Sequence, residues 1–598
     1  MDPALRELIS KGRPSDEVEA ILRLAPGAET LPDTVREVCG FGAIRTIRVK
    51  RGDITGVWSD PRIASLKAAR ALSVDRPVEL NAGLFDAPLP GRSRRMSARR
   101  PKGLRETGRG VVVGVIDWGI DFAHPAFLDS AGQSRILAIW DQRDPVLGGA
   151  SRPPQPYGYG QVHRTARINR ALRGGTPYQT LGYHPGDADA GTGAHGTHVC
   201  DIAAGSPRGN GEGGLAPEAD IVFVHLAADR LSGLSDLGNS VRIIEAVDFI
   251  NRIAGDRPCV INMSLGRQGG AKSGLSLVER ALDAFAESRA NACIVQSAGN
   301  YFMSGCHASG TLRPGGVRTL SWMIKRGDPT ENEMEIWYSN RDKLRVTLSA
   351  PGLDISATAG LGETRILRDA RGHEIARLYN RAFEPNTDSH NCNIFIRAKA
   401  PAGEWMIRVE GEQIVDGRFD AWIERDSAGR RGQSSFTLRD IDTTATIGSI
   451  ATGFNGLSVG AAHERGGRLI PAPFGSSGPT RDGRTKPDLV APGLRVLAAR
   501  SVPRETWQPQ MLNTRMSGAS QASPYVAGCV ALCLEAGQGA LTFHDIRKAV
   551  IGSCRRPRGL DVSSRLRLGA GMIDPEAAIN RARAIAAENE ARIQEDMT

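Results

Sequence analysis

Four separated points of the chain hold residue types that together can transfer an acyl group. Near the C-terminal end, Gly518-Ala519-Ser520-Gln521-Ala522-Ser523-Pro524-Tyr525-Val526-Ala527-Gly528 sets small residues ahead of an apolar stretch. The pattern predicts a tight turn running into a helix, with Pro524 in the first turn, where its missing N–H costs least. A serine there carries its oxygen at the helix N-terminus, where free N–H groups and the dipole favour a developing negative charge. Ser517 or Ser520 as a plain N-cap is the competing reading. Asp117 follows the apolar run Val111 to Ile116, at a strand's carboxyl end, where sites gather in open α/β sheets. A turn acid would look the same. His195 lies in Gly193-Ala194-His195-Gly196-Thr197-His198-Val199, at the glycine-rich start of a helix. His195 and His198 could share a metal from one helix face, but no acid or third histidine completes a ligand set. Asn300 closes Gln296-Ser297-Ala298-Gly299-Asn300, where a side-chain amide can donate to an oxyanion or simply make a turn. An acid, a base, a nucleophile and an oxyanion donor in one chain suggest nucleophilic catalysis on a carbonyl.

Such groups need a rigid frame. Val111 to Ile116 is apolar throughout, as expected of a strand covered on both faces of a parallel sheet, and so are runs at 221–224, 259–263 and 292–295. Helical patterns at 198–204, 240–253 and 277–288 separate them, which predicts an α/β sheet flanked by helices over 110–310. The rhythm breaks at 311–440, where short alternating segments and turn residues predict an inserted all-β sandwich or jelly roll. It resumes over 441–582 and ends in a charged tail, 583–598, read as an exposed helix. Residues 1–80 read as a small α+β unit, with strands at 20–24 and 44–49 and helices at 31–39 and 61–72. A basic linker, 81–109, carries Arg92, Arg94, Arg95, Arg99, Arg100 and Lys102.

The chain has 598 residues, enough for three or four domains, and a net charge of +10 from 76 bases and 66 acids. That is a mixed surface, and no aromatic interleaving or nucleic-acid motif accompanies the arginines, so no nucleic-acid partner is expected. Nine cysteines lie scattered without paired-ligand spacing, which suits free thiols in a reducing compartment. The longest apolar run, Tyr525 to Leu534, is far short of the ~20 residues needed to cross a bilayer. With no secretory signal visible at Met1 to Glu7, a soluble cytoplasmic protein with no membrane partner is expected. No oligomeric state is read from the sequence.

Taken together, these segments resemble the subtilisin (S8) family of serine peptidases. Val115-Ile116-Asp117-Trp118-Gly119 resembles its aspartate motif, His195-Gly196-Thr197-His198-Val199 its histidine motif, and Gly518 to Gly528 its serine motif. Registering on Pro524 and Gly528 selects Ser520, and Ala298-Gly299-Asn300 resembles the oxyanion segment. The resemblance implies Asp117, His195 and Ser520 as catalytic triad, Asn300 as oxyanion donor, and Ser264, Leu265 and Gly266 as the strand that binds an extended peptide. It implies a protein or peptide substrate and no cofactor. Ala126 replaces an aspartate that often binds calcium in the family, so no metal site is assigned. Ala519, Gln521 and Tyr525 depart from the usual threonine, methionine and histidine beside the nucleophile. The N-terminal unit resembles a pro-domain, with processing expected between Asn81 and Arg109. The inserted β region resembles one found in spore-germination subtilases. A catalytically silent binding protein with the same fold is the alternative.

Overall fold

The computed structural model describes residues 1–70, 73–74, 100–143, 152–189, 191–211, 213–227, 239–424, 433–504, 512–557 and 559–597. The N-terminal unit holds helix α1 (Pro3–Ile9) and strands β1 (Glu17–Leu24), β2 (Val35–Phe41), β3 (Ile44–Lys50) and β4 (Ile63–Ala68), in sheet order β2-β3-β1-β4. The helices expected at 31–39 and 61–72 are therefore strands. Phe41 pairs directly with Ile44, so Gly42, at φ 54°, and Ala43 close a two-residue hairpin that commits β2 to β3. β4 is fixed by its antiparallel partner β1. Both faces of this sheet are covered. Val18, Ala20, Leu22 and Ile47 form the unit's own core, while Ile21, Val38, Phe41 and Ile44 join a core of the next unit. A short strand β5 (Ser73–Val74) follows.

The large sheet takes β6 (Val112–Asp117), β7 (Ile136–Asp141), β8 (Gln161–Arg164), β9 (Asp220–His225), β10 (Cys259–Met263) and β12 (Ala292–Ser297), with β11 (Leu265–Gly266) just beyond β10. Its later strands are β13 (Leu457–Arg465), β14 (Arg468–Pro471) and β15 (Leu489–Pro492). The order is β14-β13-β12-β10-β6-β9-β7-β8, with β15 also on β13. The inner pairs are parallel, and β14 and β8 add antiparallel edges. Alternate side chains of β6 feed two cores. Val113 and Val115 pack with helix α2 (His195–Ala204), and Val112 and Ile116 with helices α3 (Ser240–Ala254) and α4 (Leu277–Ser288). Helix α5 (Ala519–Ala536) lies with α2 in the first of these, as do Ala578, Ile579, Ala582, Ile585 and Ala586 of helix α6 (Pro575–Met597). Of the tail read as exposed, Ile585 and Ala586 are packed here and 590–595 are exposed.

Between β12 and β13 the chain builds a six-stranded and a five-stranded antiparallel sheet from strands lying between His307 and Phe436, around a separate core. Much of the basic linker, 81–99, lies outside the described residues. At its described end, Arg100 is half-buried, and its guanidinium donates to the carbonyls of Leu215, Leu104 and Glu106 at 2.7, 2.8 and 2.5 Å. No described helix is long and apolar enough to cross a membrane.

Candidate active site

Register brings the candidate residues to one edge of the sheet. Met263 pairs with Ile116 and with Gln296, so the chain leaves β6, β10 and β12 at the same level. Asp117 ends β6, Ser264 follows β10, and Asn300 comes three residues after Ser297. Gly299, at φ 101°, makes that last turn in a conformation L side chains resist, and an added Cβ would sit 2.8 Å from the Tyr301 ring.

Asp117 is fully buried, and its Oδ1 accepts from the Trp118 N–H at 2.7 Å and from His195 Nδ1 at 2.8 Å. A carboxylate must accept, so Nδ1 carries a proton, and in the neutral ring Nε2 keeps a lone pair. That Nε2 is buried without a hydrogen-bond partner. His195 opens α2, and the rest of its motif holds the helix against the turn after β6. The Gly196 N–H donates to the Trp118 carbonyl at 2.8 Å, and a Cβ there would meet Gly119 O at 2.9 Å. Thr197 Oγ1 accepts from the Asp121 N–H at 2.9 Å. His198 donates from Nε2 to the Val496 carbonyl at 3.1 Å, and burial pushes its ring down to about 3, so it stays neutral. With one ring on Asp117 and the other on Val496, the two histidines do not converge on a metal.

Ser520 stands in the first turn of α5, 1% exposed, with its Oγ buried and lacking a hydrogen-bond partner. Its hydrogen bond to His195 is not made here. Buried polar atoms are rarely left unengaged, and those that are tend to mark sites of chemistry. Pro524 lies in the second turn of α5 and not in the first, because the helix begins at Ala519. Lacking an N–H, Pro524 cannot donate to the Ser520 carbonyl four residues back. Ser264 supplies a donor instead, its Oγ reaching that carbonyl at 3.0 Å. Ser264 Oγ in turn accepts from Asn262 Nδ2 at 3.0 Å, and Asn262 Oδ1 accepts from Ser523 Oγ at 2.6 Å. The proline thus enters the helix where β10 can compensate for it. Sequence reasoning missed Asn262 and Ser523 in this relay; the only signal was an asparagine buried mid-strand. Asn300 is 1% exposed, and its Oδ1 accepts the Ala519 N–H at 2.9 Å, which turns Nδ2 toward Gly518. A Cβ on Gly518 would lie 3.2 Å from that Nδ2.

The expected substrate strand is paired, but by the chain itself: Leu265 lies opposite Val74 and Gly266 opposite Ser73, antiparallel. The side chains of Ser264 and Leu265 are buried, so the edge offers its backbone. The N-terminal unit is held beside it by buried ion pairs, Arg48 to Glu245 at 2.8 Å and Arg242 to Glu19 at 3.1 Å.

Residues 108–370 and 427–571 match the model of the subtilase family, peptidase S8. The PIII-type proteinase of Lactococcus lactis subsp. cremoris is 25% identical over 79% of this chain, which spans 25% of that relative's length. The PII-type proteinase of Lacticaseibacillus paracasei is 24% identical, over 79% of this chain and 26% of its own. Among solved structures, the CspB protease of Clostridium perfringens superposes with a TM-score of 0.66 at 24% identity, covering 81% of this chain and 96% of that one.

Proposed function

This chain belongs to the subtilase family, and on that footing we propose that it is a serine endopeptidase acting through Asp117, His195 and Ser520. The observation that carries the reading is the Asp117–His195 hydrogen bond, with a lone-pair Nε2 and a nucleophile-type hydroxyl left unengaged at the same sheet edge. His195 takes the Ser520 proton as Oγ attacks the peptide carbonyl. Asp117 holds the tautomer and stabilises the imidazolium that forms. Asn300 Nδ2 and the Ser520 N–H at the helix start face the developing oxyanion. Collapse of that intermediate expels the amine, which takes the proton from His195, and water repeats the sequence on the acyl-enzyme. A fluorophosphonate probe is expected to label the wild type and not Ser520→Ala. Equal labelling of both, or of neither, would overturn the proposal, and the second result would favour a silent binding protein.

The paired strand β5 supports a second element of the reading: the chain processes its own N-terminal region. Val74 lies opposite Leu265, so counting one residue on in this register makes the bond after Asp75, itself outside the described residues, the one expected to break. That is earlier than the window from Asn81 to Arg109. Intact mass should show fragments in the wild type and one full-length species in Ser520→Ala; identical masses would exclude processing. All nine cysteines are unpaired, which supports placement in a reducing compartment such as the cytoplasm, to be checked by fractionation.

A further inference from the structure

The cleft strand does not end its interactions at Gly266. Three residues before Ser73, Arg70 is bound on both backbone and side chain. Its N–H donates to Ser240 Oγ at 2.9 Å, and its carbonyl accepts from the Ser240 N–H at 2.9 Å. These two contacts are blind to side-chain identity. The guanidinium leaves the catalytic unit and meets the inserted β region, donating to Glu333 Oε1 at 2.8 Å and lying 3.7 Å from Glu335 Oε1. Both carboxylates come from the strand Asn332–Ser339, and Trp337 Nε1 and Asn393 Nδ2 orient them at 2.8 and 3.2 Å.

The charges here do not balance without a guest. Glu333, Glu335 and Glu424 face three cations, Arg70, Arg267 and, beside Glu424, the buried Lys272. Arg267, the residue after β11, is committed to Glu424: its Nε donates to Oε2 at 2.7 Å, and its Nη2 lies 3.9 Å from Glu335. Glu424 also accepts from the N–H groups of Gln268 and Gly269. Gln268 is 3% exposed, and its Oε1 is an acceptor with no hydrogen-bond partner. Removing Arg70 leaves Glu333 and Glu335 close together, mostly buried, and short of one positive charge. Burial already pushes the Glu333 carboxyl up against the pull of Arg70.

We propose that Ser240, Glu333 and Glu335 form a distant subsite of the cleft, which takes an extended peptide with arginine or lysine three residues before the one paired with Gly266. Arg70 is the chain's own occupant. Ser240 holds the backbone, and the inserted β region reads the charge, so the insertion sets specificity. Planar guanidinium suits the two carboxylates better than ammonium, so arginine outranks lysine.

This inference rests on the peptidase reading above. By register the residue opposite Ser264 donates the acyl group, which places the base five positions upstream of it. The full-length protein should be given a peptide library varied at that position, with Ser520→Ala as blank. Arginine there is expected to raise kcat/KM about tenfold over alanine, the scale of one charge-assisted hydrogen bond. Glu333→Gln and Glu335→Gln should each reduce that ratio toward one. Cleavage with no preference for a base, in the wild type alone, overturns the subsite and leaves the peptidase standing. No cleavage of any peptide overturns both. Loss of the ratio together with all activity in both variants would make the glutamates structural, and also overturns the subsite.

Discussion

Ser264→Ala tests whether β10 holds the nucleophile's helix in place. The hydroxyl is fully buried, donates to the Ser520 carbonyl at 3.0 Å and accepts from Asn262 Nδ2 at 3.0 Å. Alanine fits the same space and removes no apolar contact, so the effect comes from polar groups alone. Pro524 cannot supply the donor a regular helix would, so the Ser520 carbonyl loses its replacement, and Asn262 loses an acceptor. An unsatisfied buried group costs about 1–3 kcal/mol. Two of them in one network, which do not add in full, give about 2–5 kcal/mol. Urea denaturation followed by fluorescence reads this as a lower midpoint. The first turn of α5 also loses an anchor, and a displacement of about 1 Å at a reacting atom can slow chemistry by ~10². Fluorophosphonate labelling of Ser520 should slow accordingly. A variant within about 0.5 kcal/mol of the wild type, labelled at the same rate, would refute the account, since that is how a surface substitution behaves.

Asp117→Asn replaces the acceptor of His195 Nδ1 with an amide that can favour the wrong tautomer, and turnover is expected to fall by ~10⁴ with the fold intact by circular dichroism. A loss under tenfold would remove Asp117 from the mechanism. Asn300→Ala removes the side-chain oxyanion donor and should lower kcat by ~10²–10³, the loss seen when such a donor is removed from serine peptidases, with KM nearly unchanged. It also orphans the Ala519 N–H, so Asn300→Asp, which keeps that acceptor, should lower kcat without the stability loss of alanine. Burial pushes the Glu384 carboxyl up, but Lys67, 2.8 Å away, outweighs it and holds the group at about 2, against 4.5 ordinarily. Because the folded value is the lower one, its contribution is present above pH 4.5 and lost as pH falls toward about 2, amounting to about 3 kcal/mol for a shift from 4.5 to about 2. Amide protection in β1–β4, referred to the intrinsic exchange rate at each pH, should therefore fall between pH 5 and 3 in the wild type, and Glu384→Gln should show no such step; equal profiles would refute the contribution of the Lys67–Glu384 pair.

The parts of this site legible in the sequence are those whose partners lie nearby in the chain or in a fixed motif. Gly196 and Thr197 sit together because each meets the turn after β6, which belongs to the aspartate motif, whereas the partner of His198, the Val496 carbonyl 298 residues away, was not legible. The two helices misread in the N-terminal unit failed for the opposite reason. Leu31, Val35, Val38 and Cys39 recur near helical spacing, and only the Gly42-Ala43 hairpin and the pairing with β3 decide for a strand. The hairpin signal was present at Phe41-Gly42-Ala43-Ile44 and outweighs the periodicity once the two-residue turn is recognised. Pro524 was placed one turn too early because its compensation comes from Ser264, 256 residues away from the carbonyl it rescues. No local pattern carries that information.

The same distinction explains where the inserted region acts. It leaves the sheet after β12, a few residues past Asn300, and its first strand begins at His307. An insertion at the carboxyl edge of a parallel sheet has its base at the level where ligands bind, since that edge is where strand ends open into loops. Glu424, at the end of the insert's strand Arg418–Ile423, therefore reaches Arg267 and the backbone of the loop beyond β11, and Glu333 and Glu335 reach the segment ahead of β5. The sequence showed an all-β interruption with scattered acids. It could not show that three of those acids, more than 60 residues from Arg267 and more than 260 from Arg70 in the case of Glu333, would meet at the rim. Topology, not composition, makes the insertion part of the cleft: moved to the amino edge of the sheet, the same β sandwich would fold equally well and touch no substrate.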